Sequence, residues 1–150
     1  MTTTLRSLFL VHSDKDKNFT TALAQNASEY ETLSLTTVAS GEARCEITSI
    51  RLLSQQNLAW IVSFHRRSTD SITDFDTNTM IDYWSWAAGD GIAVGSAFLY
   101  AVSGLSIPYQ DQSQAGNLNI AVTNRSTTAK TATSGGVGHV QVTVGVFGAA

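Results

Sequence analysis

Three histidines, one cysteine and a few closely spaced acids are the residues that offer catalytic or metal-binding chemistry. His12, His65 and His139 stand far apart, outside any His-x-His or His-Glu-x-x-His spacing, and Cys45 supplies a single thiol. Zinc sites draw on clustered Cys and His, so this spacing points to no metal. Asp74-Phe75-Asp76-Thr77-Asn78 opens like a calcium loop. An EF-hand then needs Gly at its sixth place and Glu at its twelfth, and here those places hold Thr79 and Ser85. A solvated turn is the better reading. Nucleophilic catalysis has no local signature either. Gly95-Ser96 lacks the second glycine of a Gly-x-Ser-x-Gly elbow. Ser134-Gly135-Gly136-Val137-Gly138 has no Gly-Lys-Ser/Thr behind it, so it is not a phosphate loop. The acid pairs Asp14/Asp16 and Asp74/Asp76 sit in polar stretches with nothing to raise a carboxyl pKa. The expectation is a protein that is not an enzyme, with no catalytic residue, no cofactor and no metal.

Composition narrows the class further. Hydrophobic residues make up 43% of the 150 and charged residues only 14%, while 17 Ser and 19 Thr fill the gap. Average soluble domains carry about 25% charged residues. A neutral, hydroxyl-rich surface suits strands and contact with other protein. The net charge is −3, and only Arg66 and Arg67 are adjacent cations. Nucleic-acid binding needs clustered Lys and Arg, so no nucleic-acid partner is expected. No segment approaches the roughly 20 apolar residues of a membrane span, and Leu8–Val11 is too short for a signal-peptide core. No membrane is expected. Cys45 has no partner for an internal disulfide, which fits assembly in a reducing cytoplasm.

The elements that would position any site follow a period of two. Leu58, Trp60, Val62 and Phe64 share one parity; so do Val140, Val142, Val144 and Val146, and again Leu118, Ile120 and Val122. Successive strand side chains point to opposite faces, so each run predicts a strand. Weaker candidates are Leu5–Val11, Thr32–Val38, Ala43–Leu53 and Val94–Val102. In the third of these, Cys45 and Ile47 have one parity and Ile50 and Leu52 the other. The switch near Thr48 and Ser49 predicts a bulge or a bend where the strand changes partners. Turn signals stand at Ser40-Gly41, Gly89-Asp90-Gly91, Ser103-Gly104, Ala115-Gly116-Asn117 and Ser134-Gly135-Gly136. Helical spacing is confined to Phe19, Leu23 and Asn26, so Asn18–Tyr30 reads as one or two helical turns or as an arm. Thr79–Ala88 has neither period and reads as a packed loop or short strand. The result is an all-β chain: an antiparallel β-sandwich of about eight short strands, of jelly-roll form. The expected organisation is an extended or weakly helical N-terminal arm, or first strand plus linker, over 1–30, and a sandwich domain over 31–150.

Tyr83, Trp84 and Trp86 lie together in the aperiodic stretch. They close one end of the core, or else form an exposed patch for a protein partner or a sugar. Leu53-Ser54-Gln55-Gln56-Asn57-Leu58-Ala59-Trp60 and Gly104-Leu105-Ser106-Ile107-Pro108-Tyr109-Gln110-Asp111, continued through Gly116–Ser126 to Lys130, together resemble β-rich virion proteins of tailed bacteriophages. The likeness is to jelly-roll capsid decoration (cement) proteins and spans about the C-terminal two-thirds. It implies a protein made in the host cytoplasm that binds the outer capsid surface. There it bridges capsomers, with the major capsid protein and itself, as a homotrimer, for partners. An arm carrying Lys15 and Lys17 would then order on the shell, and Tyr83, Trp84 and Trp86 would serve as contacts. A tail, fibre or baseplate component and a carbohydrate-binding β-sandwich are the alternatives. In addition, Arg125, at a strand end, has Asp111 as a candidate ion-pair partner.

Overall fold

The computed structural model describes residues 10–35, 44–68, 73–74, 78–113, 115–131 and 140–149. Ten strands fill them: β1 (Leu10–Phe19), β2 (Ala27–Ser34), β3 (Arg44–Ser54), β4 (Trp60–His65), β5 (Thr73–Asp74), β6 (Met80–Trp86), β7 (Ile92–Val94), β8 (Ala97–Gln110), β9 (Asn117–Asn124) and β10 (Val140–Ala149). They form two five-stranded antiparallel sheets, ordered β1-β10-β3-β8-β7 and β5-β2-β9-β4-β6. The two layers enclose a core between their facing rows. The chain is a β-sandwich.

The long strands pair in a nested set. The first pairs with the last, β1 with β10; inside that β2 pairs with β9, β3 with β8, and β4 with β6. Such nesting is what a single long hairpin becomes when it is wound into two layers. Each alternating run supplies one inward row. Leu58, Trp60, Val62 and Phe64 are buried, as are Leu118, Ile120 and Val122 on β9 and Val140, Val142, Val144 and Val146 on β10.

The parity switch in β3 is a bulge, and the strand keeps both of its partners. Gly145 and Val146 are consecutive in β10 but pair with Ser49 and Ile47, which leaves Thr48 as an extra residue. Its hydroxyl donates to the Gly145 carbonyl at 3.2 Å. An extra residue resets the alternation, so Cys45, Ile47, Ile50 and Leu52 all face the core and all are buried. On the other side of β3, β8 answers with its own irregularity between Ser103 and Ile107. Gly104 has φ +72° there, a conformation that costs glycine little. Ser103-Gly104 is therefore a bulge within β8 and not a turn.

One further expectation is corrected and another is narrowed. Asn18–Tyr30 forms no helical turn among the described residues: β1 runs to Phe19, β2 starts at Ala27, and Phe19 and Leu23 are both buried. Their helical spacing was incidental, since each enters the core from a different local structure. Within residues 1–30 the described part is a first strand, a linker at 20–26 and the start of β2. Thr79–Ala88 resolves into the short-strand option, β6. The candidate strands Leu5–Val11 and Thr32–Val38 fall partly outside the described residues, and the turn signals at 40–41 and 134–136 wholly so.

Two tyrosines of β8 tie the sheets together. Tyr109, 2% exposed, sends its hydroxyl across to β4 and β9. It lies 2.9 Å from the His65 carbonyl and 3.1 Å from that of Asn117, and accepts from the Asn119 backbone N–H (2.9 Å) and Nδ2 (3.0 Å). Nine residues earlier, Tyr100 places its hydroxyl 2.6 Å from Asn57 Oδ1 and 2.9 Å from the Leu58 carbonyl. Removing one member of a buried network strands the others. Tyr109→Phe is accordingly expected to lower unfolding stability by about 2–3 kcal/mol in urea titrations, and an unchanged midpoint would refute the tie.

Candidate binding surface

Of the large apolar side chains exposed among the described residues, Ile81, Tyr83 and Trp84 lie on β6 and Ile92 and Val94 on β7; Leu53 is the sixth. Both are edge strands, each at the end of its own sheet. The short connection 87–91 joins them: Asp90 Oδ2 accepts from the Ala87 N–H at 2.8 Å, and the Asp90 N–H donates to the Ala87 carbonyl at 3.2 Å. A Cβ on Gly91 would stand 2.7 Å from Tyr100 Cζ, so only glycine lets this connection lie against the core tyrosine. The two edges thereby follow one another at the same margin of the sandwich, and their exposed apolar residues wrap it as a band, with Tyr83 on the outer face of the second sheet and Ile92 and Val94 on that of the first. From Met80 to Tyr100 the only charges are Asp82 and Asp90.

The aromatic trio divides. Trp86 is half-buried, its ring centroid 5.8 Å from that of Tyr100. Tyr83 is 48% exposed and Trp84 37%. Trp84 shares the inward row with Trp86, its strand neighbour but one, yet it stands at the open margin of the sandwich. Trp86 thus closes the core, and Tyr83 and Trp84 form surface.

The opposite margin is built differently. Asp14, Lys15, Asp16 and Lys17 make β1 an alternating charged edge. Lys17 Nζ reaches Glu31 on β2, 3.0 Å away in the other sheet, and Arg51 meets Asp14 at 3.5 Å. Inward charge on an edge strand blocks strand addition. Lys15 and Lys17 therefore belong to a strand of the sandwich, with Lys17 committed to an internal ion pair. On the described β6 and β7 the only charge is Asp82.

No family model matches the sequence, and no curated protein matches it.

The remaining polar clusters are structural in geometry. On the outward row of the second sheet, His65 Nε2 lies 2.8 Å from the Ser63 hydroxyl, and Nδ1 lies 2.8 Å from that of Thr79. This brings a serine and a histidine into hydrogen-bond reach, which sequence spacing did not disclose. All three side chains are fully buried, and a hydroxyl stands where a triad would place its carboxylate. At one end of the sandwich the buried Glu29 carboxylate accepts from the N–H groups of Thr20 and Thr21 (3.2 and 3.1 Å), and Lys130 donates to the Thr21 carbonyl. Burial pushes the Lys130 ammonium below its ordinary pKa. Arg125 donates to Asn26 Oδ1 at 2.8 Å and not to Asp111. The Asp111 carboxylate instead accepts from the Ser113 and Asn117 N–H groups, both at 3.0 Å, closing the β8–β9 turn.

Among the described residues no group of three or more His, Cys, Asp or Glu gathers to hold a metal. His139 and Asp76 lie outside them. Cys45 is buried, and that burial pushes its thiol up to about 12, so it is a poor nucleophile at neutral pH.

Proposed function

We propose that this chain is a structural protein of a tailed-bacteriophage virion, of the jelly-roll capsid decoration kind. In this reading it binds the outer shell as a homotrimer and bridges capsomers of the major capsid protein, without catalysis. The observation that carries the reading is the apolar, charge-poor band along β6 and β7. Large exposed apolar patches mark surfaces that meet other protein. Edge strands with a single charge on one side and an alternating run of charges on the other direct that contact to one margin. We assign the band to the subunit contacts of the trimer.

The nested pairing of eight long strands across two layers supports the jelly-roll form, an architecture used by viral capsid and lectin domains. Many copies on a lattice need only modest affinity each, because binding is multivalent. A lectin reading is less well served. Tyr83 and Trp84 are neighbours on one strand and point to opposite faces, so they do not make a joint platform for a sugar.

The test is mass and sedimentation. Light scattering should give about three times 16.0 kDa for the purified chain. The chain should also pellet with virus-like shells assembled from the capsid protein encoded with it. Trp84→Glu combined with Ile92→Glu should yield folded monomers with shell occupancy reduced by about tenfold or more. A wild-type monomer that stays in the supernatant would overturn the proposal.

A further inference from the structure

An open groove of about 820 Å³ lies where the start of β3 and the end of β8 face β6 across the gap between the sheets. Cys45, Ile81, Pro108 and the Tyr109 ring give it an apolar floor, and Arg44 and Arg66 stand among its walls with Gln110 and Gln112. Its volume is within the range of ligand-binding clefts.

The charge of the groove's described lining is positive. Among the described residues Lys17 and Arg51 have carboxylate partners, whereas Arg44 and Arg66 have none. Among the described residues the groove is lined by no Asp or Glu. Of the acids next to lining residues, Asp111 is spent on its own turn, while Glu46 and Asp82 flank the groove without lining it. In a chain of net charge −3, a cleft whose described lining carries two guanidiniums and no carboxylate favours anions. Arg66 is also held in place. Its N–H donates to the Thr79 carbonyl (2.9 Å), its carbonyl accepts from the Gln112 N–H (2.6 Å), and its Nη2 donates to the Asn78 carbonyl at 2.8 Å. A fixed guanidinium loses little entropy when it receives a carboxylate.

The shape points to an extended occupant. β7 covers only Ala97–Leu99 of β8. Beyond it, the margin of β8 up to Gln110 has no strand neighbour on that side among the described residues. Pro108 sits on this stretch, as proline does on edge strands. A free strand margin beside an apolar floor is suited to a peptide in extended conformation, with alternate side chains reaching the floor and the walls.

We propose that this groove binds an extended acidic peptide segment of a partner protein, with Arg44 and Arg66 receiving its carboxylates. The inference is independent of the capsid reading and concerns a different part of the molecule, sharing only Ile81 with the β6–β7 band.

A display library of random octapeptides, selected on the full chain at low salt, tests it. Peptides enriched in Asp and Glu among apolar residues should emerge. Their affinity should fall by about tenfold or more on Arg44→Gln/Arg66→Gln. Arg44→Gln alone, at an exposed position, should give an intermediate loss with unchanged circular dichroism and thermal midpoint. Selection without acidic enrichment would overturn the proposal, as would selected peptides that bind the double variant as well as wild type. A heparin octasaccharide that bound more tightly than every selected peptide would assign the groove to an acidic glycan and overturn it too.

Discussion

Deleting Arg51 is expected to destabilise the protein by about 3–6 kcal/mol, whereas deleting Thr48, three residues earlier, should cost only about 1 kcal/mol. The bulge is the cause. Without Thr48 the row Cys45, Ile47, Ile50, Leu52 alternates regularly, and Ile47 and Ser49 keep their partners Val146 and Gly145, which are already consecutive. The loss is then mainly the hydrogen bond from Thr48 to Gly145. Without Arg51, alternation counted from Leu52 turns Ile50 outward and Ser49 inward. A fully buried isoleucine is lost from the core, and a hydroxyl is buried in its place. Arg51→Ala separates side chain from spacing. Its ion pair with Asp14 is more than half exposed on both sides, and such pairs contribute little. Urea unfolding followed by tryptophan fluorescence reads all three variants. Equal stability of the two deletions would show that the bulge does not set the parity of β3.

Alkali is expected to unfold the chain between about pH 10 and 12, with Tyr100 and Tyr109 ionising in the same transition. Burial pushes Cys45 from 9.0 to about 12, Tyr100 from 10.0 to about 12, and Tyr109 further still. Each group is neutral in the native state and ionises first in the unfolded chain. The stability it contributes is therefore complete below its unfolded pKa and is lost as pH rises toward its folded one. Each costs roughly 1.4 kcal/mol per pH unit in that window, so three together remove on the order of 4 kcal/mol per unit. Total stabilities are about 5–15 kcal/mol, which sets the range of the transition. Lys130 acts in the opposite sense, because the cost of its buried charge is relieved as it deprotonates, but it is one group against three. Tyr109→Phe should flatten the dependence of stability on pH by about 1.4 kcal/mol per unit. Tyrosinate absorbance that rose fully while circular dichroism stayed native would refute the burial of these hydroxyls.

The candidate surface was partly legible. Tyr83, Trp84 and Trp86 were visible as a cluster in a stretch without period, and lack of charge around them was visible too. Which of them faces solvent was not. Trp84 and Trp86 have the same parity, and only Trp86 meets Tyr100, a residue that arrives from the other sheet. Lys15 and Lys17 looked like features of an arm because a charged edge strand has no apolar rhythm. Their pairing with β10 makes them strand residues. Arg44 and Arg66, more than twenty positions apart, carry no joint signal in a linear chain.

By itself the sequence determined the β period of the central strands, the parity switch at Thr48 and the absence of any local catalytic motif. These are local properties, since alternation depends only on neighbouring residues and the geometry of one strand. Tertiary structure alone decided which strands pair, that β6 and β7 end their sheets on the same margin, and that Ser63 and His65 are buried although they point away from the core. Strand alternation states which residues share a face. What lies against that face depends on partners distant in sequence, and no local pattern encodes them.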